Sequence, residues 1–133
     1  MIRIFTDGSY VPQNGMGAYC AVIVNDAQAS VSDSVCVAPG AVVTGTEQKT
    51  TSYRMELLAI VKAMEKIEDL YGSGTHEVEI YTDAQGIITS VNRYLQNGKK
   101  PQNSTDLWDQ LIPLLKRHSV RFVFASNQHQ EYR

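Results

Sequence analysis

The chain has 133 residues, 43% of them hydrophobic, and a formal net charge of −2. That length fits one domain with an ordinary core, needing neither disulfides nor structural zinc. The mildly acidic balance excludes a strongly basic nucleic-acid clamp, so a polyanionic partner would have to be met by local charge or by bound cations.

Met1 leads directly into a strand pattern, so no signal peptide is expected. No run of about 18 apolar residues occurs, so no membrane span is expected. Cys20 and Cys36 sit in apolar stretches without metal-ligand spacing. They read as buried, reduced thiols and point to an intracellular, cytoplasmic setting.

Ile2 to Asp7 alternates and is rich in β-formers, which predicts a strand. Pro12, Asn14, Gly15 and Gly17 mark a turn. Ala18 to Val24 predicts a second strand. Ser30 to Val37, with Val31, Val35 and Val37, predicts a third. Pro39 to Lys49, rich in Gly and Thr, reads as loop. Three strands on short connections suggest an antiparallel meander.

From about Ser52 the period changes. Leu57, Ile60, Val61, Met64 and Ile67 fall on one face of a helix that Gly72 and Gly74 end. Val78 and Ile80 predict a fourth strand ending at Asp83. Ile87, Val91, Tyr94 and Leu95 predict a second helix, followed by a polar loop from Asn97 to Asn103. Leu107, Trp108, Leu111, Leu114 and Leu115 predict a third helix, which Pro113 should kink or shorten. Val120 to Ala125 predicts the last strand. The expected fold class is α/β: a mixed five-stranded sheet, three antiparallel strands then parallel crossovers, with helices on both faces.

Three carboxylates stand out by position. Asp7 ends the first strand, Asp83 ends the fourth, and Glu56 lies in the first turns of the first helix. Each has apolar neighbours, so each is expected near the core. Taken alone, an Asp at a strand end is a turn former or cap. Sites in open α/β sheets form beyond the carboxyl ends of strands. If the first and fourth strands are parallel neighbours, Asp7 and Asp83 emerge side by side and the helix carrying Glu56 covers that edge. Converging carboxylates repel one another and raise each other's pKa. Hard divalent cations such as Mg²⁺ remove that cost.

The same segments carry a family resemblance. Asp7-Gly8-Ser9, followed by Gly15, Gly17 and Tyr19, resembles the opening strand of bacterial ribonuclease H. Thr50-Thr51-Ser52-Tyr53-Arg54-Met55-Glu56-Leu57 resembles that family's Thr-Thr-Asn-Asn-Arg-Met-Glu-Leu helix motif. Tyr81-Thr82-Asp83-Ala84-Gln85 resembles its Ser-Thr-Asp-Ser-Gln, and Thr105-Asp106-Leu107-Trp108 its Val-Asp-Leu-Trp. The resemblance covers nearly the whole chain in order. It implies a ribonuclease H-like fold, two Mg²⁺ or Mn²⁺ ions per site, an RNA–DNA hybrid as substrate and a monomer. It assigns Asp7, Glu56 and Asp83 as catalytic metal ligands. It places Gly8, Ser9, Gln13, Asn14, Thr51, Ser52, Tyr53 and Gln85 against substrate, and Lys99 and Lys100 on the DNA strand. Trp108 resembles a core residue.

The sequence departs from the family in three places. Ser52 and Tyr53 replace paired asparagines, and Tyr53 is expected either to stack on substrate or to pack. The basic protrusion is reduced to Lys99 and Lys100. At the end of the chain, His129 matches the family's mobile-loop histidine, but no Asp follows it. Glu131 or Asn127 would then fill the fourth ligand position, or the family's last helix is absent. Two other readings stand beside the nuclease: a ribonuclease H-like binding module without catalysis, and another nuclease on the same fold. An Asp-nucleophile phosphatase needs Asp-x-Asp after its first strand, and Phe5 occupies the first position.

Overall fold

The structure, a computed structural model, describes residues 1–25, 40–72 and 74–125. Five strands form one sheet: β1 (Ile2–Val11), β2 (Met16–Asn25), β3 (Gly40–Glu47), β4 (Glu77–Thr82) and β5 (Ser119–Phe124). Three helices are described: α1 (Ser52–Tyr71), α2 (Gln85–Asn97) and α3 (Thr105–Arg117). The order across the sheet is β3-β2-β1-β4-β5. The β1–β2 and β2–β3 pairs are antiparallel, and β1–β4 and β4–β5 are parallel. The mixed α/β sheet read from the sequence is therefore present.

The third strand is not where the alternation placed it. Gly40–Glu47, read as loop, pairs along its length with β2. Its Val and Thr residues favour an extended chain. Gly45 is tolerated because the Tyr19 ring lies over it: a Cβ there would come within 2.4 Å of Tyr19 Oη. The aromatic ring covers the backbone that glycine leaves bare. The expected strand at Ser30–Val37, and Cys36 with it, lie outside the described residues. Cys20 is a free, partly exposed cysteine, not the buried one expected.

The helices gather on one face of the sheet. That face carries Ile2, Ile4 and Thr6 from β1, Ala21 and Ile23 from β2, and Val78, Ile80 and Thr82 from β4, all buried. The helical stripe Leu57, Ile60, Val61, Met64 and Ile67 is fully buried against it. Ile87, Val91, Leu107, Trp108, Leu111 and Leu114 complete the same core. Helices on both faces were expected; among the described residues the opposite face carries none. A registered row crosses that face, Val42, Val22, Phe5, Tyr81 and Val123, one residue from each strand. Phe5 and Tyr81 stack there at 4.8 Å.

Gly72 ends α1 at a positive φ (92°), which glycine adopts without strain. Pro113 neither breaks nor shortens α3, which runs on to Arg117. Pro113 is on the exposed side of the helix, so its missing N–H leaves no buried carbonyl unpaired. Among the described residues no helix is long and apolar enough to cross a membrane.

Candidate active site

The parallel ladder between β1 and β4 ends at the pair Phe5–Tyr81. Continued in the same register, the ladder would bring Thr6 to Thr82 and then Asp7 to Asp83. Side chains alternate along a strand, so the two threonines point into the core and the two aspartates point out. Thr6 and Thr82 are 2% and 0% exposed, whereas Asp7 and Asp83 are exposed. Two expectations are corrected here. Asp7 is not at the end of its strand, because β1 continues to Val11, paired with β2 throughout. Nor are all three carboxylates near the core: only Glu56 is buried, at 5% exposure.

Glu56 sits in the second turn of α1, inside the buried run Met55–Val61. Its Oε2 accepts a 2.8 Å hydrogen bond from the Gly8 backbone N–H. Its Oε1 lies 3.5 Å from both Thr6 Oγ and Thr82 Oγ. Gly8 eases this approach, since a Cβ would crowd Glu56 N and Met55 Cβ at 3.1 Å. Burial, then repulsion by Asp83 and more weakly by Asp7, pushes the Glu56 carboxyl up to about 6. The Gly8 N–H pulls the other way, favouring the charged form. The three carboxylates thus share one electrostatic environment across β1, α1 and β4.

All three are hard oxygen donors, the chemistry that suits Mg²⁺ or Mn²⁺. Among the described residues no three His, Cys, Asp or Glu side chains are placed to hold a metal ion as they stand. The three carboxylates fit a hard divalent cation by ligand type and charge.

The start of α1 is fixed from three sides. Thr51 is the N-cap, its Oγ accepting from Arg54 N at 3.1 Å. The Arg54 guanidinium forks to Asp106 (2.8 and 2.6 Å) and to Glu47 (2.8 and 3.4 Å), tying α1 to α3 and to the end of β3. This pairing holds the Asp106 carboxyl down at about 2 and raises the Arg54 pKa. Tyr53 is half-buried against the core. Its hydroxyl accepts from Trp108 Nε1 at 3.3 Å and lies 3.3 Å from Ser90 Oγ. Of the two alternatives for Tyr53, packing is the one seen, and its hydroxyl is engaged inside the protein.

Beside this helix start lies a recess of about 480 Å³, lined among others by Lys49, Thr50, Thr51, Arg54, Asn103 and Ser104. Lys49 and Ser104 both hold left-handed backbones, φ 53° and 59°, a conformation that costs a non-glycine residue energy. The Thr50 hydroxyl is buried without a hydrogen-bond partner.

The remaining candidates are placed by their own elements. Ser52 is the first, exposed residue of α1. Gln13 and Asn14 form the exposed β1–β2 turn, with Asn14 Oδ1 accepting from Met16 N. That turn is held to the start of α1 by Thr50 N donating to Gly15 O at 3.0 Å. Gln85 opens α2, two residues past Asp83, and is exposed, as is Ser9. The Gly8 N–H is already committed to Glu56. Lys99 and Lys100 line a second recess of about 250 Å³ with Arg93 and Ser90, and Lys100 pairs with Asp109 at 2.7 Å. His129, Glu131 and Asn127 lie outside the described residues.

Sequence reasoning missed Thr6, Thr82 and the Arg54–Asp106 pair. The repeated dipeptide Thr6-Asp7 and Thr82-Asp83, on two strands expected to be parallel, was the available signal for the first two. Nothing in the spacing of Arg54 and Asp106, 52 residues apart, announces the fork.

The family model for RNase H matches residues 1–129. Among similar proteins, a Ribonuclease H of Nitratidesulfovibrio vulgaris is 31% identical over 132 residues, covering 91% of this chain and 74% of the relative. A Ribonuclease H of Pseudomonas fluorescens is 29% identical over 133 residues, covering 93% and 78%. Among solved structures, the N-terminal RNase H domain of a Mycobacterium tuberculosis protein superposes with a TM-score of 0.70 at 14% identity, covering 98% of this chain and 86% of that one. LC11-RNase H1 from compost, in complex with an RNA/DNA hybrid, superposes with a TM-score of 0.71 at 18% identity, covering 97% and 88%. The fold, the family match and the relatives agree: this chain belongs to the ribonuclease H family, hydrolases that act on RNA in hybrids.

Proposed function

We propose that this chain cuts the RNA strand of RNA–DNA hybrids by a two-metal mechanism that leaves 5′-phosphate and 3′-hydroxyl ends. Residues 1–133 act as one ribonuclease H domain in this reading. The observation that carries it is buried Glu56, whose carboxyl is pushed up first by burial and then by the charges of Asp83 and, more weakly, Asp7. Asp7, Glu56 and Asp83 would hold Mg²⁺ or Mn²⁺, with Glu131 the proposed fourth carboxylate. The cations, when bound, supply Lewis-acid polarisation of the attacking water and of the leaving oxygen in an in-line displacement.

The protein's own groups then orient the substrate. The positive dipole end at the start of α1 lies beside the recess that Thr51 and Arg54 line, a setting that would suit a backbone phosphate. Thr51, Lys49 and Asn103 line that recess. Gln13, Asn14 and Gln85 are exposed and would suit the ribose 2′-hydroxyls of the RNA strand. Lys99, with Arg93, suits the DNA strand. With only that small basic recess, binding should depend on salt less steeply than in a highly basic protein. His129 is the residue proposed to deliver a proton to the leaving oxygen.

A labelled hybrid, cut in Mg²⁺ and in Mn²⁺, tests the reading. Internal cuts in the RNA strand, dependent on the cation and abolished by Asp7→Asn, are expected. Tight hybrid binding with no cleavage in either cation would favour a binding module instead.

A further inference from the structure

We propose that the Thr6 and Thr82 hydroxyls are positioning groups for Glu56, a pair of donors that aims one carboxylate oxygen from below while Gly8 holds the other. The inference rests on the nuclease reading, because it assigns the pair to the orientation of a metal ligand.

The two threonines occupy equivalent steps on neighbouring parallel strands, one past the Phe5–Tyr81 pair. Both are buried, and both hydroxyls approach the same atom, Glu56 Oε1, at 3.5 Å. Thr82 Oγ accepts from Ala84 N at 3.1 Å. An oxygen that receives one hydrogen bond from that side turns its own proton elsewhere, and Glu56 is the acceptor beside it. Thr6 Oγ has two acceptors in reach, Glu56 Oε1 and Tyr81 O at 3.3 Å. Neither contact is short. Each is therefore weak alone, and the two act together as a loose cradle.

Residue type matters here. A buried carboxylate oxygen with no donor beside it carries an uncompensated desolvation cost. Valine in either place would keep the branched shape that packs against the core and would remove the donor. Serine would keep the donor and lose a methyl group. The two substitutions separate hydrogen bonding from packing.

The test uses Thr6→Val, Thr82→Val, the double valine variant and the two serine variants of the full chain. Hybrid cleavage in Mg²⁺ gives kcat and KM, calorimetry gives the affinity for Mn²⁺, and a thermal melt reports folding. Groups that orient a metal ligand change affinity or rate by about 10- to 100-fold when removed. The double valine variant should fall in that range in kcat, with Mn²⁺ affinity weakened in parallel and KM for hybrid little changed. Serine should restore most of the lost rate. If a valine variant fails to fold, the comparison of serine with wild type in Mn²⁺ affinity still decides. Valine variants equal to wild type, or serine variants as impaired as valine, overturn the proposal and leave the nuclease reading standing. A wild-type chain that neither cleaves hybrid nor binds Mn²⁺ overturns both.

Discussion

The Gly8 N–H donates to Glu56 Oε2 at 2.8 Å, and this one bond fixes the second turn of α1 against the strand that bears Asp7. Strand and helix approach so closely because residue 8 has no side chain. Adding a methyl group puts a Cβ 3.1 Å from Glu56 N and 3.1 Å from Met55 Cβ, backbone and near-backbone atoms that cannot rotate away. Gly8→Ala should cost about 1–3 kcal/mol of stability, as overpacking does. It should also lower kcat about tenfold or more, because a small misplacement of a reacting group is expensive. Chemical denaturation and hybrid cleavage check the two effects separately.

The raised Glu56 pKa makes a metal-dependent stability prediction. The carboxyl titrates near 4.5 in an unfolded chain and about 6 in the folded one. Below 4.5 both states hold the proton and burial carries no charge penalty. As pH rises through that window the folded protein must give up a proton that it holds more tightly, so stability falls. Metal-free Glu56→Gln should therefore melt a few degrees above wild type at pH 7.5 and show no such gain at pH 4. Mn²⁺ should raise the wild-type melting temperature at pH 7.5 more than that of the variant. Calorimetric melts at the two pH values, with and without Mn²⁺, check this.

The Arg54 fork should behave oppositely with pH. Asp106 is held at about 2 against an ordinary 3.8, so its contribution is complete above 3.8 and is lost as pH falls toward 2. Arg54→Lys keeps a charge but not the planar fork, and should destabilise the protein at pH 7. A double-mutant cycle of Arg54→Met with Asp106→Asn should give a coupling of about 1 kcal/mol at neutral pH. Denaturant titrations on both sides of 3.8 should show it shrinking in acid.

Tyr53→Phe tests whether that ring is a packing element. The substitution leaves the buried Trp108 N–H without the acceptor it uses at 3.3 Å. An unpaired buried donor costs about 1–3 kcal/mol. The variant should lose that much stability while KM for hybrid stays within about twofold. A large rise in KM with unchanged stability would place Tyr53 on the substrate.

Much of this was legible in the sequence, and the rest failed for identifiable reasons. The stripe from Leu57 to Ile67 is buried as its period requires. The pattern at Val78 and Ile80 gave β4, which pairs in parallel with β1 as expected. The chain from Gly40 to Glu47 read as loop because two glycines hide its pattern. Only the fold shows that Tyr19 covers one of them. Leu95, counted on the apolar face of α2, is 63% exposed, because the last turn of that helix extends past the core. The exposure of Asp7 and Asp83 was missed because Ile4 and Ile80 point into the core, whereas the alternation puts both aspartates on the open side with Phe5 and Tyr81. Thr6 and Thr82 were overlooked because a buried threonine beside an aspartate carries no periodic signal.

A crystal grown with Mn²⁺ is the most direct check on the site. Anomalous scattering should show a peak bounded by the carboxylates of residues 7, 56 and 83, lost in Asp7→Asn. A well-ordered crystal at saturating Mn²⁺ with no peak there, or with Mn²⁺ bound only elsewhere, would contradict the assignment of this site as a metal-dependent nuclease centre.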